Sequence, residues 1–235
     1  MDVAIGTIIF DFDGLLMDTE STSLASWQYE WRQHGLELDL TDFHADHGGD
    51  LTEERYARLA SAVGPGFARE ASHARRLAYR EDLHRDLGLA DGIAQWLDDA
   101  AALGIRLAVA SSSPGEWVRG HLSRVGALER FEVIASGEEV PRPKPDPAVY
   151  ELALRRLGVP GSSAVAVEDS PHGVIAARGA GLRCIAIPSP HFDPARFGAA
   201  AVLLPSAARA PLAAVLDWIE RPAAAGQARS ANPTS

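Results

Sequence analysis

The chain has a single cysteine, Cys184 in the run LRCIAIP, so it can form no disulfide within itself. A lone thiol in an apolar run reads as a buried strand residue rather than a nucleophile, and it suits a reducing compartment. Apolar runs long enough to cross a bilayer are lacking too. The opening residues MDVAIGTIIFDFDG have no basic stretch before their apolar run, which leads straight into acids, so they make a poor secretory signal. The expected location is therefore the cytoplasm, with no membrane partner. Positive charge is also scarce: 22 Lys and Arg stand against 32 Asp and Glu, a formal net charge of -10. Such a surface repels a phosphate backbone and disfavours nucleic-acid binding. It does not exclude a small anion held locally by a lysine and a divalent cation. No G-x-G-x-x-G follows the first apolar run, which argues against a dinucleotide binder.

What is present is enough for a sizeable core. The 235 residues are 46% hydrophobic and 23% charged, which fits one large domain, or one domain with an insert. Short apolar runs rich in β-branched residues predict strands over 7–10 (TIIF), 105–110 (IRLAVA), 164–167 (AVAV) and 183–187 (RCIAI), with a weaker one over 132–135. Helical patterns lie between them, over 93–103, 115–125, 147–157 and 171–179. Strands alternating with helices predict an α/β fold: a Rossmann-like, three-layer core with a parallel sheet, which binds ligands at the carboxyl ends of its strands. Residues 19–86 break the alternation with helical patterns alone. They read as an α-helical domain inserted after the first strand, leaving 1–18 and 87–221 as the core. The small, polar tail 222–235 reads as disordered.

The first strand ends in DFDG. Residues two apart on an extended segment point the same way, so Asp11 and Asp13 can face one ligand while Phe10 and Phe12 point elsewhere. Gly14 permits a sharp exit. Two carboxylates at one place suit a shared proton or a hard cation such as Mg²⁺. Other strand ends add to the set. IRLAVA runs into Ser111, Ser112 and Ser113, AVAV runs into Glu168, Asp169 and Ser170, and PRPKPDP sets Lys144 between prolines. A nucleophile, a proton donor, metal ligands and phosphoryl-binding groups on one edge suit phosphoryl transfer. Singly, each has a plainer explanation. Ser111 could cap a helix near Pro114, Asp169 could cap one at Pro171, and Lys144 and Glu168 could be solvated.

In order, DFDG, ASSS, KPDP and VEDS resemble the four motifs of the haloacid dehalogenase superfamily of phosphohydrolases. The helical insert resembles the cap of its β-phosphoglucomutase and phosphatase-like subfamily. The resemblance runs from about residue 7 to about residue 205. It implies that Asp11 is the nucleophile and Asp13 the general acid and base. It makes Ser111 and Lys144 phosphoryl-binding, with Gly14, Ser112 and Glu20 as further phosphate or substrate contacts. Mg²⁺ would be bound by Asp11 and Asp169, by Asp13 through its backbone carbonyl, and by Glu168 as a further or outer ligand. Dehalogenases of the superfamily need neither the second aspartate nor a metal, so Asp13, Glu168 and Asp169 point to phosphate chemistry instead. Mutases typically carry a histidine four residues after the threonine here numbered Thr19; this chain has Ser23, and no arginine follows in the cap loop until Arg55. The expectation is a phosphomonoesterase acting on a small phosphorylated metabolite, a sugar phosphate or similar, as a monomer or weak dimer. The alternatives are a phosphosugar mutase and a non-catalytic binding protein. Asp11 and Asp13, both present, count against the second.

Three features of the insert complete the reading. Trp27 and Trp31, four apart with Leu24 on the same face, form either a stacking platform or, more simply, internal packing. The run DFHADHGGD carries Asp42, His44, Asp46 and His47, but has no second ligand pair and reads as a cap turn near substrate rather than a metal site. Glu20 can reach a substrate hydroxyl or simply favour a helix N-terminus. His172, just after EDSP, reads as the first turn of a helix in the core.

Overall fold

The computed structural model describes residues 5–43, 51–190, 192–220 and 229–230. The chain divides into two compact units, Met1–Met17 with Leu89–Ser235, and Asp18–Gly88. The first unit is built on a parallel sheet of β1 (Thr7–Phe10), β2 (Arg106–Ala110), β3 (Val133–Ala135), β4 (Ala164–Glu168), β5 (Arg183–Ala186), β6 (Val202–Leu203) and β7 (Arg229–Ser230). Their order is β3-β2-β1-β4-β5-β6-β7, with every neighbouring pair parallel. Thr7, Ile8, Ile9 and Phe10 are all buried, although alternate residues of a strand face opposite sides. Both faces of the sheet are therefore covered, as a parallel sheet requires. The five expected strands are present. β6 and β7 were not expected, because two residues are too few to show a period. β7 falls within the tail expected to be disordered; the rest of that tail lies outside the described residues.

The second unit is helical: α1 (Thr19–Gln33), α2 (Leu40–Phe43), α3 (Thr52–Val63) and α4 (Arg69–Arg85). The Asp18 side chain caps α1 by accepting from the Ser21 amide at 3.0 Å. Trp27, Phe43 and Tyr56 form its apolar cluster, with Leu24 packed against it. Trp27 is 1% exposed, its ring centroid 4.6 Å from that of Tyr56, and the Arg76 guanidinium lies over it at 4.3 Å. Trp27 packs inside the unit, while Trp31 is half-buried, and the two line one cavity with Leu38, Phe43 and Leu51. Residues 44–50, most of the histidine-bearing run, lie outside the described residues.

The remaining helices flank the sheet: α5 (Ile93–Ala102), α6 (Gly115–Arg124), α7 (Ala148–Leu157), α8 (Pro171–Gly179) and α9 (Leu212–Glu220). Tyr150, Leu154, Val174 and Ala177 of α7 and α8 join Ile9, Ala108, Ala166 and Cys184 in one buried cluster. Burial pushes the Cys184 thiol well above its usual range, so the residue behaves as a small apolar one. His172 stands in the first turn of α8.

Candidate active site

The sheet order reverses at β1, with β2 and β3 on one side and β4 to β7 on the other. In such sheets the reversal opens a crevice at the carboxyl ends of the strands. Phe10 is in register with Val109 of β2 and Val167 of β4, so Asp11 comes out level with Ala110 and Glu168. The Asp11 amide donates to the Val167 carbonyl at 2.9 Å, which ties the exit of β1 to β4. Gly14, at φ 81°, then turns the chain, and its amide closes the turn on the Met17 carbonyl at 2.9 Å. A side chain there would strain the backbone.

Two separate hydrogen-bond systems stand on this edge. The first is buried and charged. The Lys144 ammonium donates to Asp11 Oδ1 at 2.5 Å and to Glu168 Oε1 at 2.6 Å. Glu168 is fully buried, and it also accepts from the Tyr150 hydroxyl at 2.6 Å, the Asp169 amide at 3.2 Å and the Ser170 hydroxyl at 3.3 Å. Gly173 is what lets α8 come so close: a β-carbon on it would lie 1.9 Å from the Glu168 carboxyl carbon. Burial pushes the Asp11 carboxyl up to about 7, with Lys144 pulling down and Glu168 pushing up; the ammonium of Lys144 is held well above its ordinary value by the two carboxylates.

The second system surrounds Asp13. Its Oδ2 accepts from the Ser113 hydroxyl at 2.6 Å and, at the long distance of 3.5 Å, from Ser111. Its Oδ1 accepts from the Trp117 indole at 3.0 Å. Ser111 is buried and its oxygen accepts from the Ser113 amide at 3.0 Å, which organises the loop after β2.

Asp11, Glu168 and Asp169 can each place a carboxylate oxygen within 4.8 Å of the others. An all-oxygen, anionic donor set of this kind fits a hard cation such as Mg²⁺. Within the set, Glu168 is already engaged through both oxygens, so Asp11 and Asp169 are better placed to ligate and Glu168 to hold Lys144. The Asp13 carboxylate is not in this group; it faces the serine loop.

The plainer explanations of Ser111 and Asp169 do not describe the structure. The first amide of α6, that of Gly115, donates to Glu138 Oε1 at 3.0 Å, and the cap of α8 is Ser170, which accepts from the Gly173 amide at 3.1 Å. Lys144 and Glu168 are buried rather than solvated. Ser112 is exposed, and its carbonyl packs where a β-carbon on Gly137 would come within 2.1 Å. Glu20 is exposed in the first turn of α1, in the other unit. The sequence reading missed Trp117, Tyr150 and the contact of Ser113 with Asp13. Trp117 lies six residues after Ser111 and Tyr150 six after Lys144, each in the first turn of the helix after its motif's loop, so helix phase was the available signal.

The family model for haloacid dehalogenase-like hydrolases matches residues 8–187. Protein CbbY of Cereibacter sphaeroides is 35% identical over 228 residues, covering 86% of this chain and 92% of that protein. A phosphorylated carbohydrates phosphatase of Thermotoga maritima is 30% identical over 183 residues, 76% of this chain and 82% of the relative. Among solved structures, CbbY from Rhodobacter sphaeroides in complex with phosphate superposes with a TM-score of 0.69 at 34% identity, covering 87% of this chain and 96% of that one. A mutant of it, holding xylulose-(1,5)bisphosphate, gives 0.68 at the same identity and coverage. The match spans β1 to the end of β5 and so contains both hydrogen-bond systems; the chain belongs to the haloacid dehalogenase-like hydrolases.

Proposed function

We propose that this hydrolase is a Mg²⁺-dependent phosphomonoesterase that acts on a small phosphorylated metabolite, a sugar phosphate in the first instance, through an aspartyl-phosphate on Asp11. The observation that carries the reading is the division of labour between two aspartates one residue apart. Asp11 is clamped by Lys144 beside Asp169 and Glu168, while Asp13 accepts from two hydroxyls and an indole.

Asp11 attacks phosphorus and the bond to the leaving oxygen breaks. Asp13 gives its proton to that oxygen. Water then attacks the aspartyl-phosphate, Asp13 takes a proton from it, and Asp11 departs as a carboxylate. Lys144 and Ser111 hold the phosphoryl oxygens in both steps, and Lys144 also offsets the charge of Asp11. When bound by Asp11 and Asp169, Mg²⁺ would add the positive charge that lets one anion approach another. Asp13 can cycle its proton because its carboxylate lies in a different hydrogen-bond set from the metal group. The sugar-phosphate preference rests on relatives whose names or bound ligands are phosphorylated carbohydrates. A cytoplasmic setting is supported by the single buried thiol. Among the described residues, no helix is long and apolar enough to cross a membrane.

The test is phosphate release from a panel of sugar phosphates, nucleotides and phosphoglycolate, with Mg²⁺ and with EDTA. Metal-dependent release from sugar phosphates is expected. A folded protein that releases phosphate from none of them overturns the reading, and isomerisation of a sugar phosphate in its place would identify a mutase.

A further inference from the structure

Nothing in the four motifs explains why an indole should touch Asp13. Trp117 lies on α6, half-buried, with its ring centroid 4.0 Å from that of His121 and its carbonyl accepting from His121 Nδ1 at 2.9 Å. His121 is itself buried and packs edge-on against Phe12, the residue between the two aspartates. The indole is thus held from behind while its N–H reaches Asp13 Oδ1 at 3.0 Å. On the other oxygen stand Ser113 at 2.6 Å and Ser111 at 3.5 Å.

The chemistry of the donors differs in a way that matters. An indole nitrogen can only donate, so the atom it touches must stay an acceptor in every protonation state of the carboxyl. A hydroxyl can donate or accept. The proton that Asp13 carries therefore belongs on Oδ2, which is also the oxygen nearer Ser111, the proposed phosphoryl contact. We infer that Trp117, with Ser113, is a positioning residue that assigns the two oxygens of Asp13: the indole holds Oδ1 as a fixed acceptor and leaves Oδ2 to deliver the proton to the leaving oxygen. In the step itself, the bond from phosphorus to the leaving oxygen breaks, the freed electron pair takes the proton from Oδ2, and Asp13 is left as the carboxylate that these donors already fit. This deepens the phosphatase reading and rests on Asp13 being its acid.

Proton delivery matters most when the leaving group is a poor anion, which supplies the test. The substrates are 4-nitrophenyl, phenyl and benzyl phosphate, similar in shape and increasingly in need of an acid, each followed as kcat/KM with Mg²⁺. Trp117→Phe keeps a ring and removes the N–H. It is expected to lose about tenfold on benzyl phosphate and about twofold on 4-nitrophenyl phosphate, a fraction of the whole worth of a general acid. Trp117→His is the rescue: its Nε2 occupies the same ring position as the indole Nε1 and can return the donor, so benzyl phosphate activity should partly recover. Should Trp117→Phe fail to fold, Ser113→Ala, on the other oxygen, is expected to show the same slope across the three esters. Equal losses on all three esters would overturn the inference, as would no loss on benzyl phosphate. Asp13→Asn separates the two levels. If it shows the steep leaving-group dependence and the Trp117 and Ser113 variants do not, the positioning role fails alone. If Asp13→Asn shows none, the acid role of Asp13 fails with it.

Discussion

Each unit of this protein buries a cation, and the two surroundings have little in common. In the sheet unit, Lys144 lies between Asp11 and Glu168, with Asp169 alongside. In the helical unit, Arg76 is 3% exposed and its hydrogen bonds go to neutral hydroxyls, Tyr56 at 2.8 Å and Ser26 at 3.2 Å, under the faces of Trp27 and Tyr56. Arg76 closes a packing problem: its donors are satisfied and its charge rests on aromatic faces. Lys144 opens a chemical one, because its neighbours are anions gathered in one place, and burial penalises each of them. A cluster that folding alone would avoid is a candidate for function.

The largest effect that would break this contrast is on Asp11. Asp11→Asn is expected to lower turnover by roughly 10⁴-fold or more, the scale of removing a nucleophile, with deamidation excluded by mass spectrometry. Full turnover would refute the assignment. A second readout needs no catalysis. Mg²⁺ at about 100 times its dissociation constant should stabilise the native protein by about 2.7 kcal/mol, and Asp11→Asn should lose most of that shift in the melting temperature. In metal-free buffer the sign reverses. The folded carboxyl of Asp11 is raised from 3.8 to about 7, so its contribution is full at low pH and is lost as the pH rises towards 7. The asparagine variant lacks that decline.

Next come the two cations themselves. Lys144→Met leaves Glu168 and Asp11 buried without their shared partner. It should cost about 3–5 kcal/mol in urea denaturation and about 10²-fold or more in kcat. Arg76→Met leaves only hydroxyls behind, and these keep other bonds: Ser26 donates to the Ser23 carbonyl at 2.6 Å, and Tyr56 pairs with His73 at 3.1 Å. Its cost should stay at about 1 kcal/mol. Equal destabilisation by the two variants would erase the distinction drawn between the units.

Much of the sheet unit was legible because its signals are local. Four-residue apolar runs, a glycine after two aspartates and prolines around a lysine each announce themselves within a few residues. That the sheet is parallel also followed, since helices lie between the strands. What stayed hidden depends on distance. That Glu168 would accept from Lys144, and that Tyr150 would join it, is decided by how α7 packs on β2 and β3, next to the end of β4. The role of Trp117 depends on the phase of α6 relative to β1, which no spacing within one motif carries. The strands β6 and β7 were hidden for a simpler reason: two residues have no periodicity.

The smallest effect tests whether the loop behind the serines is held independently of the site. Glu139 accepts from Arg156 at 2.6 and 3.1 Å, and from the Ser136 hydroxyl at 2.8 Å and amide at 3.0 Å. These donors, Arg156 first, hold its carboxyl down at about 2 against an ordinary 4.5. A depressed carboxyl contributes stability above its unfolded value and loses it as the pH falls through the folded one, so the window runs from 4.5 down to about 2. The pair is about one-third exposed, with side chains 32% and 40% accessible, and solvent screening limits it to less than about 1 kcal/mol. Glu139→Gln should therefore lower the urea midpoint slightly at neutral pH, and the gap to the native protein should narrow at about pH 3. Activity on any ester should fall by no more than about twofold, because Gly137, packed on the Ser112 carbonyl, holds the loop by shape as well as by charge. A gap that stays constant with pH would mean that Glu139 acts through its shape alone. A large loss of activity would tie this surface pair to the buried set and weaken the separation between holding the fold and doing the chemistry.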